Sequence, residues 1–64
     1  MRIRGLLNYL PDRNAFIIQN DQEGHEAVID RPGLLKSDAG EEIVAFPYTV
    51  ALVDWIGKRV EWST

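Results

Sequence analysis

The chain has no cysteine and a single histidine. Without thiols there is no disulfide framework and no thiolate metal site, so stability has to come from an apolar core, a partner subunit, or both. No apolar run approaches the roughly 20 residues of a membrane-crossing helix, and no basic-then-apolar leader with a cleavage site is seen. Asn-x-Ser/Thr acceptors are missing as well. The expectation is a cytoplasmic protein with no membrane partner.

Catalytic signatures are also lacking. There is no glycine-rich phosphate loop, nucleophile elbow, metal signature or Ser/His/Asp set, and both serines, Ser37 and Ser63, fall in loop or tail. His25 follows a turn glycine with Glu23 and Glu26 nearby, but a metal needs several converging ligands and a base needs an oriented partner. Glu41 and Glu42 are adjacent, and neighbouring strand residues point apart, so they form no acid/base pair. The chain is expected not to be an enzyme with its own active site and to use no cofactor or metal.

Positive charge is scarce. Seven Lys and Arg stand against ten Asp and Glu, for a net charge of −3. The bases Arg2, Arg4 and Arg13 concentrate near the start, and Asp21, Glu23, Glu26 and Asp30 form an acidic stretch with no base between them. An acidic chain repels a phosphate backbone unless its few bases share one face, which disfavours nucleic acid as a general partner.

What is present reads as one small β-rich domain over residues 1–64. Residues Ile3–Leu10 alternate with a two-residue period that sets Ile3, Leu7 and Tyr9 on one face and Arg2, Arg4 and Asn8 on the other. Pro11-Asp12-Arg13-Asn14 is a turn, with Pro11 preset for its second position and Asn14 tolerant of a left-handed backbone. A strand Ala15–Asn20 returns from it. Asn20–Gly24 has the chemistry of a second tight turn, leading into a strand His25–Asp30.

Pro32 and Gly33 break the pattern, and Leu34-Leu35 fits one helical turn or an irregular loop. Glu41–Phe46 is the next strand, its Ile43-Val44-Ala45-Phe46 run predicting burial on both faces. Thr49–Ile56 carries helical spacings alongside β-favouring threonine, valine and isoleucine that suit a strand; it is read as a short helical or irregular insert, ended by Gly57. Lys58–Trp62 closes the chain as a strand. Five short strands and one insert predict an all-β fold, a small barrel of OB-type or SH3-like form.

Residues Gly5-Leu6-Leu7-Asn8-Tyr9-Leu10-Pro11-Asp12-Arg13-Asn14-Ala15-Phe16-Ile17-Ile18 resemble the opening of a cold-shock domain, a small OB-fold nucleic-acid binder. The resemblance covers about the first third of the chain and implies base stacking on aromatics of the hairpin, here Tyr9 and Phe16. The third strand departs from the family, offering Ala27-Val28-Ile29-Asp30 where the family carries aromatics.

Two sets of candidate site residues follow. Arg2, Arg4, Tyr9, Arg13 and Phe16 are candidates for single-stranded nucleic-acid contact, with a packed cross-strand aromatic pair as the alternative for Tyr9 and Phe16. Asp21, Glu23, Glu26, Trp55 and Trp62 are candidates for a protein interface, as acidic turns and apolar anchors, with core packing as the alternative for the tryptophans. The leading expectation is a non-catalytic module that binds a protein partner or self-associates. The others are an OB-type binder of single-stranded nucleic acid and a subunit of an oligomeric enzyme with an inter-chain site.

Overall fold

The computed structural model describes residues 2–20, 24–47 and 49–64. The elements are β1 (Arg2–Leu10), β2 (Ala15–Asn20), β3 (Glu26–Val28), β4 (Gly33–Ser37), β5 (Glu42–Ala45), a 3-10 helix (Val50–Trp55) and β6 (Arg59–Ser63). They form one antiparallel sheet of six strands in the order β3-β2-β1-β6-β4-β5. β3 and β5 are its edges, so the hydrogen-bonded ladder is open.

The first strand is shared between two halves of the sheet. Gly5–Leu10 pair with β2, whereas Arg2–Leu6 pair with β6, so Gly5 and Leu6 have partners on both sides. Leu7 extends the second ladder, donating to the Lys58 carbonyl at 3.0 Å and accepting from the Gly57 amide at 2.8 Å. At this changeover β1 and β2 approach so closely that a Cβ on Gly5 would stand 1.9 Å from the Gln19 carbonyl oxygen. Glycine is the residue that permits such a backbone approach.

One face of the sheet builds the core. Leu7, Phe16, Ile18, Leu35, Ala45, Val60 and Trp62 lie on it, Ile29 joins them beyond β3, and Leu52 and Trp55 of the 3-10 helix close over them. The helix serves this role through its period of three residues per turn, which puts Leu52 and Trp55 on one side. The indole N–H of Trp62 is buried and finds no acceptor among the described residues. Leaving it unpaired costs about 1–3 kcal/mol. Burying the ring returns roughly 5 kcal/mol, so burial prevails.

Several expectations are corrected. Six strands replace five, because Leu34-Leu35 belongs to β4 and is neither a helical turn nor a loop. Its side chains alternate from exposed Leu34 to buried Leu35, exposed Lys36 and buried Ser37, and it pairs with strands on both sides. Pro32 and Gly33 therefore delimit a strand. Gly33 lies beneath the Trp62 indole, where a Cβ would come within 2.4 Å of Nε1. The run Ile43–Phe46 is not buried on both faces, since Val44 is 57% and Phe46 50% exposed. β5 is an edge strand, and nothing covers its outer face. The insert is helical, one of its two expected forms, as a 3-10 helix over Val50–Trp55, whereas the third strand is shorter than His25–Asp30.

The pinch at Gly5 yields a direct prediction. Gly5→Ala should lose at least ~2 kcal/mol, because the clash is with backbone and the strands must part to relieve it. Urea unfolding checks this, with Gly24→Ala, whose added Cβ meets nothing within 4 Å, as a milder comparison.

Candidate functional site

The hairpin of β1 and β2 extends beyond the ladder with β6, and its free end carries the Tyr9–Phe16 pair. These residues are directly opposed in register, with ring centroids 5.0 Å apart and planes tilted by 57°. The turn behind them forms as its residues dictate. Arg13 and Asn14 amides return to the Leu10 and Pro11 carbonyls, both at 3.2 Å, and Asn14 takes a φ of 50°. The Tyr9 hydroxyl donates to Asn14 Oδ1, which ties the ring to the turn.

The 3-10 helix faces this pair. Thr49 sets its start, accepting the Phe46 amide on Oγ1 at 2.8 Å while its own amide donates to the Phe46 carbonyl at 3.1 Å. Leu52 and Trp55 point inward, which leaves Val50, Val53 and Ile56 as a second stripe at the same three-residue spacing. Val50 is 81% exposed, an unusual position for a large aliphatic residue without a partner.

Between the two walls is a cleft of about 370 Å³. Tyr9, Phe16 and Asn14 form one side, Val50, Val53 and Ile56 the other, and Pro47 and Thr49 complete it. None of the described residues that line it is charged. At its margin the Tyr9 hydroxyl donates to Asn14 Oδ1, and Thr49 Oγ1 accepts the Phe46 amide. Chemically the cleft can bury apolar groups and can do little else.

The predicted candidates are dispersed. Tyr9 and Phe16 do come together, but Phe16 is only 7% exposed, so it presents little ring face to a base. Arg4 sits across from Glu61 and 3.5 Å from Asp38, and Arg2 is opposite Ser63. Along β1 the strand end at the turn that holds Arg13 is roughly 20 Å from Arg4 and roughly 26 Å from Arg2. The three arginines do not share one face with the aromatic pair.

Trp55 and Trp62 are core residues at 8% and 2% exposure, so neither is an exposed anchor. Trp62 is central despite its place near the chain end because β6 runs between β1 and β4. Glu26 is exposed on β3 opposite Gln19, while Asp21 and Glu23 lie outside the described residues. No sequence motif marks Pro47, Val50, Val53 and Ile56; the signal was an apolar period of three beside a second such period.

Surface charges are mostly engaged in local pairs. Glu41 meets Lys58 at 3.0 Å and Glu42 meets Lys36 at 3.8 Å, so the adjacent carboxylates diverge as expected. Lys58 also stands 5.2 Å over the Trp55 ring. Arg31, hydrogen-bonded to Asp30 at 3.0 Å, holds that carboxyl below its ordinary range. A lowered carboxyl pKa adds stability above the unfolded value and loses it as pH falls through the folded one, here below about pH 4. Both groups are exposed, so the pair is screened and minor. Among the described residues no group of three or more His, Cys, Asp or Glu is placed to hold a metal. Nor is any helix among them long and apolar enough to cross a membrane.

Comparison with protein-family models, curated proteins and solved structures finds no match to this chain.

Asn14 tests how the cleft wall is held. Asn14→Ala removes both the tolerance for positive φ and the acceptor for Tyr9, and should cost about 1–2 kcal/mol. Asn14→Gly keeps the turn and should recover part of that loss. Thermal unfolding of the two variants reads the difference.

Proposed function

We propose that the protein is a non-catalytic interaction module whose cleft receives an extended, proline-bearing apolar segment of a partner protein. The observation that carries this is the cleft itself: an aromatic pair on one wall, an exposed aliphatic stripe on the other, and no charge among the described lining residues. Its polar groups are few, on Tyr9, Asn14 and Thr49, so an extended guest would have to keep most of its own backbone solvated. A polyproline II segment meets that requirement, since it has no internal hydrogen bonds and presents its rings to aromatic-lined grooves. With this reading goes the finer architecture, a small barrel of OB-type or SH3-like form in which the open sheet curls around one core.

The aromatic pair also supports single-stranded nucleic acid as a second reading, through stacking. The absence of lysine or arginine among the described lining residues weighs against it, because such binding leans on phosphate contacts.

Amide spectra of labelled protein, titrated with a proline-rich decapeptide, distinguish these readings. Shifts should gather on Tyr9, Phe16, Val50 and Val53. Val53→Lys, at a site 57% exposed, should weaken binding at least ~10-fold with the fold unchanged. Salt-reversible shifts around Arg13 and Tyr9 with short oligonucleotides would move the assignment to nucleic acid. No response to either would remove the cleft from consideration.

A further inference from the structure

The edge of β5 has a backbone pattern with two-fold character. The Ser37 amide donates to the Glu41 carbonyl at 2.8 Å, which fixes the phase of the β4–β5 ladder. Antiparallel pairs alternate between bonded and non-bonded, so Leu35/Ile43 and Gly33/Ala45 are the bonded pairs that follow. The backbone groups of Lys36 and Leu34 then point toward β6, in agreement with the Asp38 amide donating to Arg59 at 3.2 Å. On β5 the same alternation turns the N–H and C=O of Glu42 and Val44 outward, where no further strand of the sheet follows.

This open window is bounded at both ends. The Gly40 amide is taken by the Ser37 carbonyl at 3.0 Å, and both backbone groups of Phe46 are taken by Thr49. What remains is one donor and one acceptor on each of Glu42 and Val44, placed symmetrically about Ile43. Edge strands are ordinarily guarded by shortness, charged side chains, proline or a bulge. Glu42–Ala45 is short and carries the charge of Glu42, but it has no lysine or proline and pairs with β4 in unbroken register.

We propose that β5 is a self-association edge, pairing antiparallel with β5 of a second copy about a two-fold axis at Ile43. Glu42 and Val44 of one chain then bond Val44 and Glu42 of the other through four backbone hydrogen bonds. Ile43 faces Ile43 of the second copy as a non-bonded pair, with Cα atoms about 4.5 Å apart and side chains in closest approach. Ile43 is half-buried against the core, so this contact extends the core across the axis. On the outer face, Val44 packs against the aliphatic stem of Glu42 from the second copy. An axis at Val44 would need the Phe46 backbone groups, which Thr49 already holds. Such a patch is well below a standard interface, so the dimer is weak and concentration-dependent. The proposal is independent of the cleft.

Sedimentation equilibrium from about 10 µM to about 1 mM spans the affinities of such contacts. The mean mass should climb from 7.3 kDa toward twice that value. Over the same range the Glu42 and Val44 amides should exchange with solvent at least ~10-fold more slowly. Val44→Pro deletes an outward N–H that the sheet does not use, so the variant should stay folded and monomeric. Val44→Lys, which places a charge on the edge, should do the same. A mass constant at 7.3 kDa throughout would overturn the proposal. So would association that both variants leave intact, or protection that appears on β3 in place of β5.

Discussion

The close approach of β1 and β2 at Gly5 is the constraint on which the rest of the structure depends. A nine-residue strand can serve two ladders only if it changes partners along its length. Here the change occurs where Gly5 lies against the Gln19 carbonyl. With β1 so shared, β6 is drawn beside its first half, and the hairpin end beyond Leu7 is left without β6 beside it. That lets the 3-10 helix reach across and seal the core with Leu52 and Trp55. The helix returns to β1 through the Gly57 amide on the Leu7 carbonyl.

The cleft is a by-product of that sealing. A 3-10 helix of six residues has two narrow apolar stripes here, and the core takes one of them. The other, Val50 with Val53 and Ile56, is left facing the Tyr9–Phe16 pair. Burial of large aliphatic groups is worth about 1.5–3 kcal/mol each, so an uncovered stripe is a standing reservoir of binding energy.

Much of the first hairpin was legible from the sequence because three signals agree there: alternation, turn chemistry and a matched return strand. β2 appears at its expected bounds, and β1 begins one residue early. β4 was hidden because Pro32-Gly33 reads as a breaker and because one inward position is Ser37, a polar residue that disguises the period. The buried Ser37 hydroxyl is satisfied by accepting the Glu41 amide at 3.2 Å. Trp62 misled by its place near the end of the chain, since only the strand order reveals β6 as central. At the site, the aromatic wall could be read from cross-strand pairing. The aliphatic wall could not, because its exposure depends on a three-residue helical period and on where that helix crosses the sheet.

The most direct test of the cleft as a docking site is an isotope-filtered NOE experiment on labelled protein with an unlabelled proline-rich peptide. The account predicts contacts from proline ring protons to the Tyr9 ring and to the methyls of Val50 and Val53. Peptide contacts confined to other surfaces, with those three side chains silent, would contradict it.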